Sequence, residues 1–271
     1  MQQHFTSSLS QTFGRFASKK HSKKFQNFIN RSYVKMMGLD MGDFNVPESY
    51  PTLNALFTRH LNVPRSFSAN PSDMISPCDS LITEAGTIQE DRALQIKGMS
   101  YSVDGFLGDH IASDNKSRIH GGEFINFYLS PRDYHRYHVP LDMQVTKAIH
   151  IAGKLYPVNI PTLKRKIDLF IENERVVLEC ISTHGKLFYL VLVGALNVGK
   201  MEVSFEPRIQ TNTAFGGGVY EYDNLHLKKG DDFGCFQMGS TIIFLSEKGM
   251  IESDLTVGES VKYGQTIGRI F

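Results

Sequence analysis

Residues 187–196 read Leu187-Phe188-Tyr189-Leu190-Val191-Leu192-Val193-Gly194-Ala195-Leu196, the longest apolar run in the chain, interrupted only by Gly194. Ten residues fall well short of the roughly 18–20 that a membrane-spanning helix needs. A short apolar run rich in valine and aromatics, bounded by turn residues, reads instead as a strand covered on both faces. Working outward, the same texture recurs in short pieces: Glu123–Leu129, Met143–His150, Arg175–Ile181, Met201–Phe205, Thr241–Leu245 and Gln265–Ile270. Gly216-Gly217-Gly218 and Lys229-Gly230-Asp231 are turn signals between them. From about Ile82 onward the chain therefore reads as a strand-rich body with no clear internal repeat.

The N-terminal part has a different character. Residues 1–40 carry seven Lys or Arg against one acid, Asp40, while the whole chain of 271 residues has a net charge of only +1. A basic arm on a mildly acidic body points to an anionic partner, a membrane surface or nucleic acid. Phe25, Phe28, Ile29, Tyr33, Met36 and Met37 recur at three- and four-residue steps, the pattern of an apolar helical face. Phe13, Phe16 and Ala17 begin a shorter helix, and Pro51 to His60 suits one more. A cationic helix with aromatic anchors fits the interface of an anionic bilayer; packing against the rest of the protein is the plainer alternative. No nucleic-acid module is recognisable, so that partner is not expected.

The expected class is α+β, a short helical N-terminal region followed by a strand-rich, mostly antiparallel β body. The boundary is set at residues 1–60 for a basic amphipathic membrane-association region and 61–271 for the body. Three cysteines, Cys78, Cys180 and Cys235, form no CxxC pair and argue against a disulfide framework or a cysteine-rich zinc site. The chain is read as non-spanning and cytosolic in its chemistry.

Three segments can carry chemistry. Phe236-Gln237-Met238-Gly239-Ser240-Thr241 contains a Gly-Ser-Thr triplet, usually a simple turn. Gly239 is small enough to let the Ser240 hydroxyl approach the preceding carbonyl, provided a base and a polarised peptide are supplied from elsewhere. Ser130-Pro131-Arg132-Asp133-Tyr134-His135-Arg136-Tyr137-His138-Val139-Pro140 presents two histidines three residues apart on a proline-bracketed turn. They could be structural, could bind a metal for which no third ligand stands out, or could supply a base near neutral pH. Ser76-Pro77-Cys78-Asp79-Ser80 places an acid after a proline-led turn. Asp79 is either a capping residue or the orienting carboxylate of an Asp–His–Ser relay.

Taken together, from about residue 50 to the C-terminus, these segments resemble the phosphatidylserine decarboxylase family of self-processing, pyruvoyl-dependent enzymes. The likeness rests on SPRDYHRYHVP, FIENERV at Phe170–Val176, LVGALNVG at Leu192–Gly199 and KKGDDFGCFQMGST at Lys228–Thr241. Met238 stands where the family usually has leucine, a swap of similar volume. Ser80 follows Asp79 where glycine is usual, which leaves the local backbone open. Asp104 in Val103-Asp104-Gly105 belongs to a different family block and is set aside.

The resemblance implies cleavage between Gly239 and Ser240, giving a large chain 1–239 and a small chain 240–271 capped by a pyruvoyl group made from Ser240. It implies His138 as the base, Asp79 as its orienting partner and His135 in substrate handling or proton transfer, with no metal. The pyruvoyl group would act through a Schiff base with the serine headgroup of phosphatidylserine, yielding phosphatidylethanolamine. Expected partners are an anionic phospholipid surface and the two chains of one precursor, with a homodimer admitted; the expected location is peripheral, on the cytoplasmic face of the cell membrane. The rivals are a pyruvoyl-dependent decarboxylase of a soluble amino acid and a non-catalytic lipid-binding protein.

Overall fold

The structure is a computed structural model that describes residues 14–196, 200–213, 216–237 and 240–271, with Ser240 described in its backbone only. Phe13, Met238, Gly239 and part of the LVGALNVG block lie outside the described residues. The chain is an α+β protein with short N-terminal helices followed by a body of antiparallel strands.

The Leu187–Val193 strand, which takes up most of the long apolar run, is buried at every position. It lies between Arg175–Ser182 and Ser240–Ser246 in an eight-stranded sheet. Across this sheet the strands run in the order Gly218–Leu227, Met143–Ile151, Arg175–Ser182, Leu187–Val193, Ser240–Ser246, Glu123–Leu129, Ser80–Thr87 and Ser260–Val261. Each neighbouring pair is antiparallel. Its interior residues and the short helices of residues 103–172 share one continuous apolar core. That cover on both faces is why the central strands are apolar without alternation.

A three-stranded sheet stands beside the large one: Met201–Val203, Asp232–Phe236 and Arg136–His138. Two glycines make its close approaches. Gly234 has φ +153°, and a Cβ there would lie 1.8 Å from the Glu202 carbonyl oxygen. At Gly230, with φ +89°, a Cβ would lie 2.2 Å from the Phe67 ring. Neither position has room for a side chain.

The N-terminal region forms a 14–18 helix, the Lys23–Met37 helix and a short Leu53–Phe57 helix. Thr52 caps the last of these, its hydroxyl accepting from the Ala55 N–H, so it is shorter than the predicted Pro51–His60. A small cluster of its own holds the region together, including Tyr33, Leu53, Leu56 and Phe57.

The Lys23–Met37 helix splits the predicted apolar face in two. Its buried residues are Gln26, Asn30 and Tyr33, and Asn30 donates to the carbonyls of Pro47 and Tyr50. Phe25, Phe28 and Met36 point outward, Phe28 at 66% and Met36 at 72% exposure. The helix thus packs Tyr33, Ile29 and Val34 against the N-terminal cluster and turns Phe25, Phe28 and Met36 to the surroundings. No described helix is long and apolar enough to cross a membrane.

Candidate active site

The candidate site forms where two connections run side by side. The Glu123–Leu129 strand ends with Leu129 opposite Ser240, the first residue of its antiparallel neighbour. Beyond Leu129, Pro131 sits at the second position of a turn closed by Asp133 N–H to Ser130 O at 2.9 Å. The Asp133 carboxylate secures it by accepting from both the Ser130 N–H and its hydroxyl. The chain then reaches His135, whose carbonyl accepts the Phe236 N–H at 2.9 Å. From there Arg136–His138 pairs with Asp232–Phe236, with His138 opposite Asp232. Phe236 and Ser240 are thus each held against the chain that carries the histidines, one at His135 and the other at Leu129.

His135 is fully buried, its ring 4.0 Å from that of Phe57. Its Nδ1 lies 2.8 Å from the Asp133 carbonyl oxygen. A carbonyl only accepts, so Nδ1 carries the proton and Nε2 presents a lone pair. Among the described residues that Nε2 has no partner. Burial, with the Arg59 charge as a lesser influence, holds the imidazole neutral, down at about 3.

His138 has the same tautomer in different surroundings. Its Nδ1 donates to the Gly230 carbonyl at 3.0 Å, and its Nε2 accepts from the Tyr134 hydroxyl at 3.1 Å. The Tyr263 ring stacks on it at 3.5 Å and 14°. Burial lowers it to about 4, against the opposing pull of the Asp232 and Asp79 charges. The two imidazoles face different neighbours, and among the described residues no group of His, Cys, Asp and Glu is placed to hold a metal.

Asp79 is placed differently from a relay carboxylate. Both of its oxygens receive the Arg65 guanidinium, at 2.5 and 3.1 Å, and Oδ1 also accepts the Tyr263 N–H at 2.8 Å. Arg65 reaches Asp43 as well. The Nδ1 partner of His138 is Gly230 rather than Asp79. Asp79 acts on His138 through its charge and through Tyr263, which it holds at the backbone and which stacks on the imidazole. Gly230 and Tyr134 fall inside the quoted motifs. Arg65 and Tyr263 are isolated residues that carry no local signal.

An acid dependence follows from the two buried imidazoles. Each stays neutral in the folded chain down to about 3 or 4 and takes up a proton near 6.5 once unfolded. Above that ordinary value their contribution to stability is constant. Below it the unfolded state binds more protons, so stability falls with pH until the folded values are reached. The slope is about 1.4 kcal/mol per pH unit for each imidazole. The urea midpoint should therefore be clearly lower at pH 5 than at pH 7; equal midpoints would contradict neutral burial.

A family model described as phosphatidylserine decarboxylase matches residues 53–269. The phosphatidylserine decarboxylase proenzyme of Campylobacter jejuni is 43% identical over 97% of this chain and 98% of its own length. The proenzyme of Helicobacter pylori is 43% identical over 97% of both chains. That of Marinobacter nauticus is 31% identical over 97% of this chain and 93% of its own. These matches define a decarboxylating enzyme of the carboxy-lyase class. The chain belongs to the phosphatidylserine decarboxylase family.

Proposed function

We propose that the chain cuts itself between Gly239 and Ser240, converts Ser240 to a pyruvoyl group, and decarboxylates phosphatidylserine to phosphatidylethanolamine. The observation that carries this reading is that the strand ends Phe236 and Ser240 meet the chain on either side of the histidine turn: Leu129 with Ser240, and His135 with Phe236. Family membership and the name proenzyme borne by the relatives support it.

In processing, the Ser240 hydroxyl attacks the Gly239 carbonyl carbon and a neutral imidazole takes its proton. The peptide bond becomes an ester. Loss of the Ser240 α-proton expels the Gly239 carboxylate and leaves dehydroalanine on the small chain. Water then replaces its nitrogen, which leaves as ammonia, and the ketone remains. His138 is the base in this reading; its Nε2 exchanges the Tyr134 hydroxyl for that of Ser240. Asp79 and Tyr263 keep the ring in place.

The site's groups fit a pyruvoyl cap, because condensation with an amine needs a base that takes the proton of an incoming ammonium, and the buried His135 Nε2 is a lone pair with no partner among the described residues. The ketone supplies an electron sink for the pair left when carbon dioxide departs. His135, having taken a proton from the substrate ammonium, then returns it to the carbon that loses the carboxylate. A cleft beside the loop is lined by Arg132 and Lys262 together with Asp79 and Asp133. Its mixed charge suits a headgroup with two anionic groups and one ammonium.

The N-terminal region is the docking surface for an anionic bilayer on the cytoplasmic face. Phe25, Phe28 and Met36 face outward on a helix that also carries Lys23, Lys24 and Lys35. Burying one phenylalanine contributes about 1.5–3 kcal/mol, so Phe28→Asp should weaken binding to phosphatidylglycerol vesicles by about tenfold or more. Unchanged cosedimentation would remove this face from docking. The enzymatic reading is tested with carboxyl-labelled phosphatidylserine in mixed micelles beside free labelled serine. Carbon dioxide should come from the lipid alone; release from free serine would favour a soluble substrate.

A further inference from the structure

The N-terminal helical unit grips the histidine loop residue by residue. The Tyr33 hydroxyl donates to the Pro131 carbonyl at 3.2 Å. Arg59 Nη2 reaches the carbonyls of Arg132 and Asp133 at 3.3 and 3.5 Å. The rings of Phe44 and Tyr134 lie 5.8 Å apart, and those of Phe57 and His135 4.0 Å apart. Five successive loop residues, 131–135, each meet a side chain from this unit.

Arg59 is the unusual member. It is 2% exposed and pairs with no carboxylate among the described residues. Its guanidinium lies 4.3 Å over the Phe44 ring, one nitrogen reaches the Leu56 carbonyl, and Nε is without a partner. Burying a cation without a counter-ion is costly, and an apolar side chain would fill the space more cheaply. What the guanidinium does that an apolar chain cannot is donate to two successive carbonyls of the loop.

One of those carbonyls, Asp133, is also the acceptor for His135 Nδ1–H. The Asp133 carboxylate is turned away onto Ser130. Arg59 therefore fixes the atom that sets the His135 tautomer, and its positive charge opposes a second proton on that ring. Phe57, two residues earlier, packs against the ring at 4.0 Å with the planes tilted by 40°.

We propose that Arg59 is a positioning residue for His135, so that the N-terminal helical unit is the back wall of the catalytic loop as well as its docking surface. This rests on the decarboxylase reading above. A misplaced proton-transfer group lowers turnover while leaving substrate binding in place.

The test uses the full chain with Arg59→Met and Arg59→Lys. Carbon dioxide release from phosphatidylserine in mixed micelles is measured per mole of released 240–271 fragment. Arg59→Met should lose about tenfold or more in kcat with KM within about twofold of wild type. Arg59→Lys, which keeps the charge and part of the donor set, should recover some of that loss. Unchanged kcat per fragment, or a raised KM with kcat retained, overturns the inference. Should Arg59→Met not fold, Phe57→Leu is measured in the same way; a fall in kcat supports the proposal and an unchanged value overturns it. A wild-type chain that neither cuts nor decarboxylates overturns the functional reading and this inference with it. An active wild type with unaffected variants overturns the inference alone.

Discussion

Ser240→Ala is expected to give a folded, uncut chain with no measurable decarboxylation. The nucleophile of the processing step and the atoms of the future ketone both come from this one side chain. Alanine supplies neither, so the loss is complete rather than graded. The fold should survive, because Ser240 joins its sheet through backbone pairing with Leu129, which alanine retains. A stability change within about 0.5 kcal/mol is the expectation for a substitution that leaves backbone pairing and core intact. A denaturing gel and a carbon dioxide assay on the same preparation read both effects. Normal cleavage in this variant would remove Ser240 from the mechanism.

His138→Ala and His135→Ala are expected to separate the two halves of the chemistry. Loss of a general base costs about 10²–10⁴-fold, so His138→Ala should accumulate as precursor over times in which the wild type is fully cut. His135→Ala should mature and then turn over poorly. Both rings are neutral at physiological pH and both carry a lone pair on Nε2, so the assignment turns on which one reaches Ser240. His138 must give up the Tyr134 hydroxyl to do so, whereas His135 has no described partner to release. If His135→Ala blocks cutting while His138→Ala matures normally, the two roles are exchanged. Asp79→Asn should also slow processing, because it loosens Arg65 and the Tyr263 backbone on which the His138 ring stacks. Maturation at the wild-type rate would leave Asp79 with a purely structural part.

The body of the fold was legible where burial is uniform. Glu123–Leu129 and Leu187–Val193 are central strands, and the apolar runs that mark them need no knowledge of their neighbours. Gly218–Leu227 was not legible. It is an edge strand whose exposed positions include Glu221 and Asp223, and a bulge between Glu221 and Leu225 breaks its alternation. Asp232–Phe236 was not among the strands read from the sequence, and its Gly234 serves a close strand crossing.

At the site, the motifs identified His135, His138 and Asp79, but spacing along the chain could not say what each one touches. The Asp79 partner, Arg65, lies 14 residues away, and the contact with Tyr263 spans 184. In the N-terminal helix, periodicity found the apolar residues without revealing which side the fold covers. Asn30 decides that, by turning inward to the 47–50 turn.

The most direct measurement is the intact mass of the purified, active protein. Two chains should appear, residues 1–239 ending in a free carboxylate and residues 240–271 carrying a pyruvoyl cap that blocks amino-terminal sequencing. A fully active preparation consisting of one unbroken polypeptide would contradict self-cleavage at Gly239–Ser240.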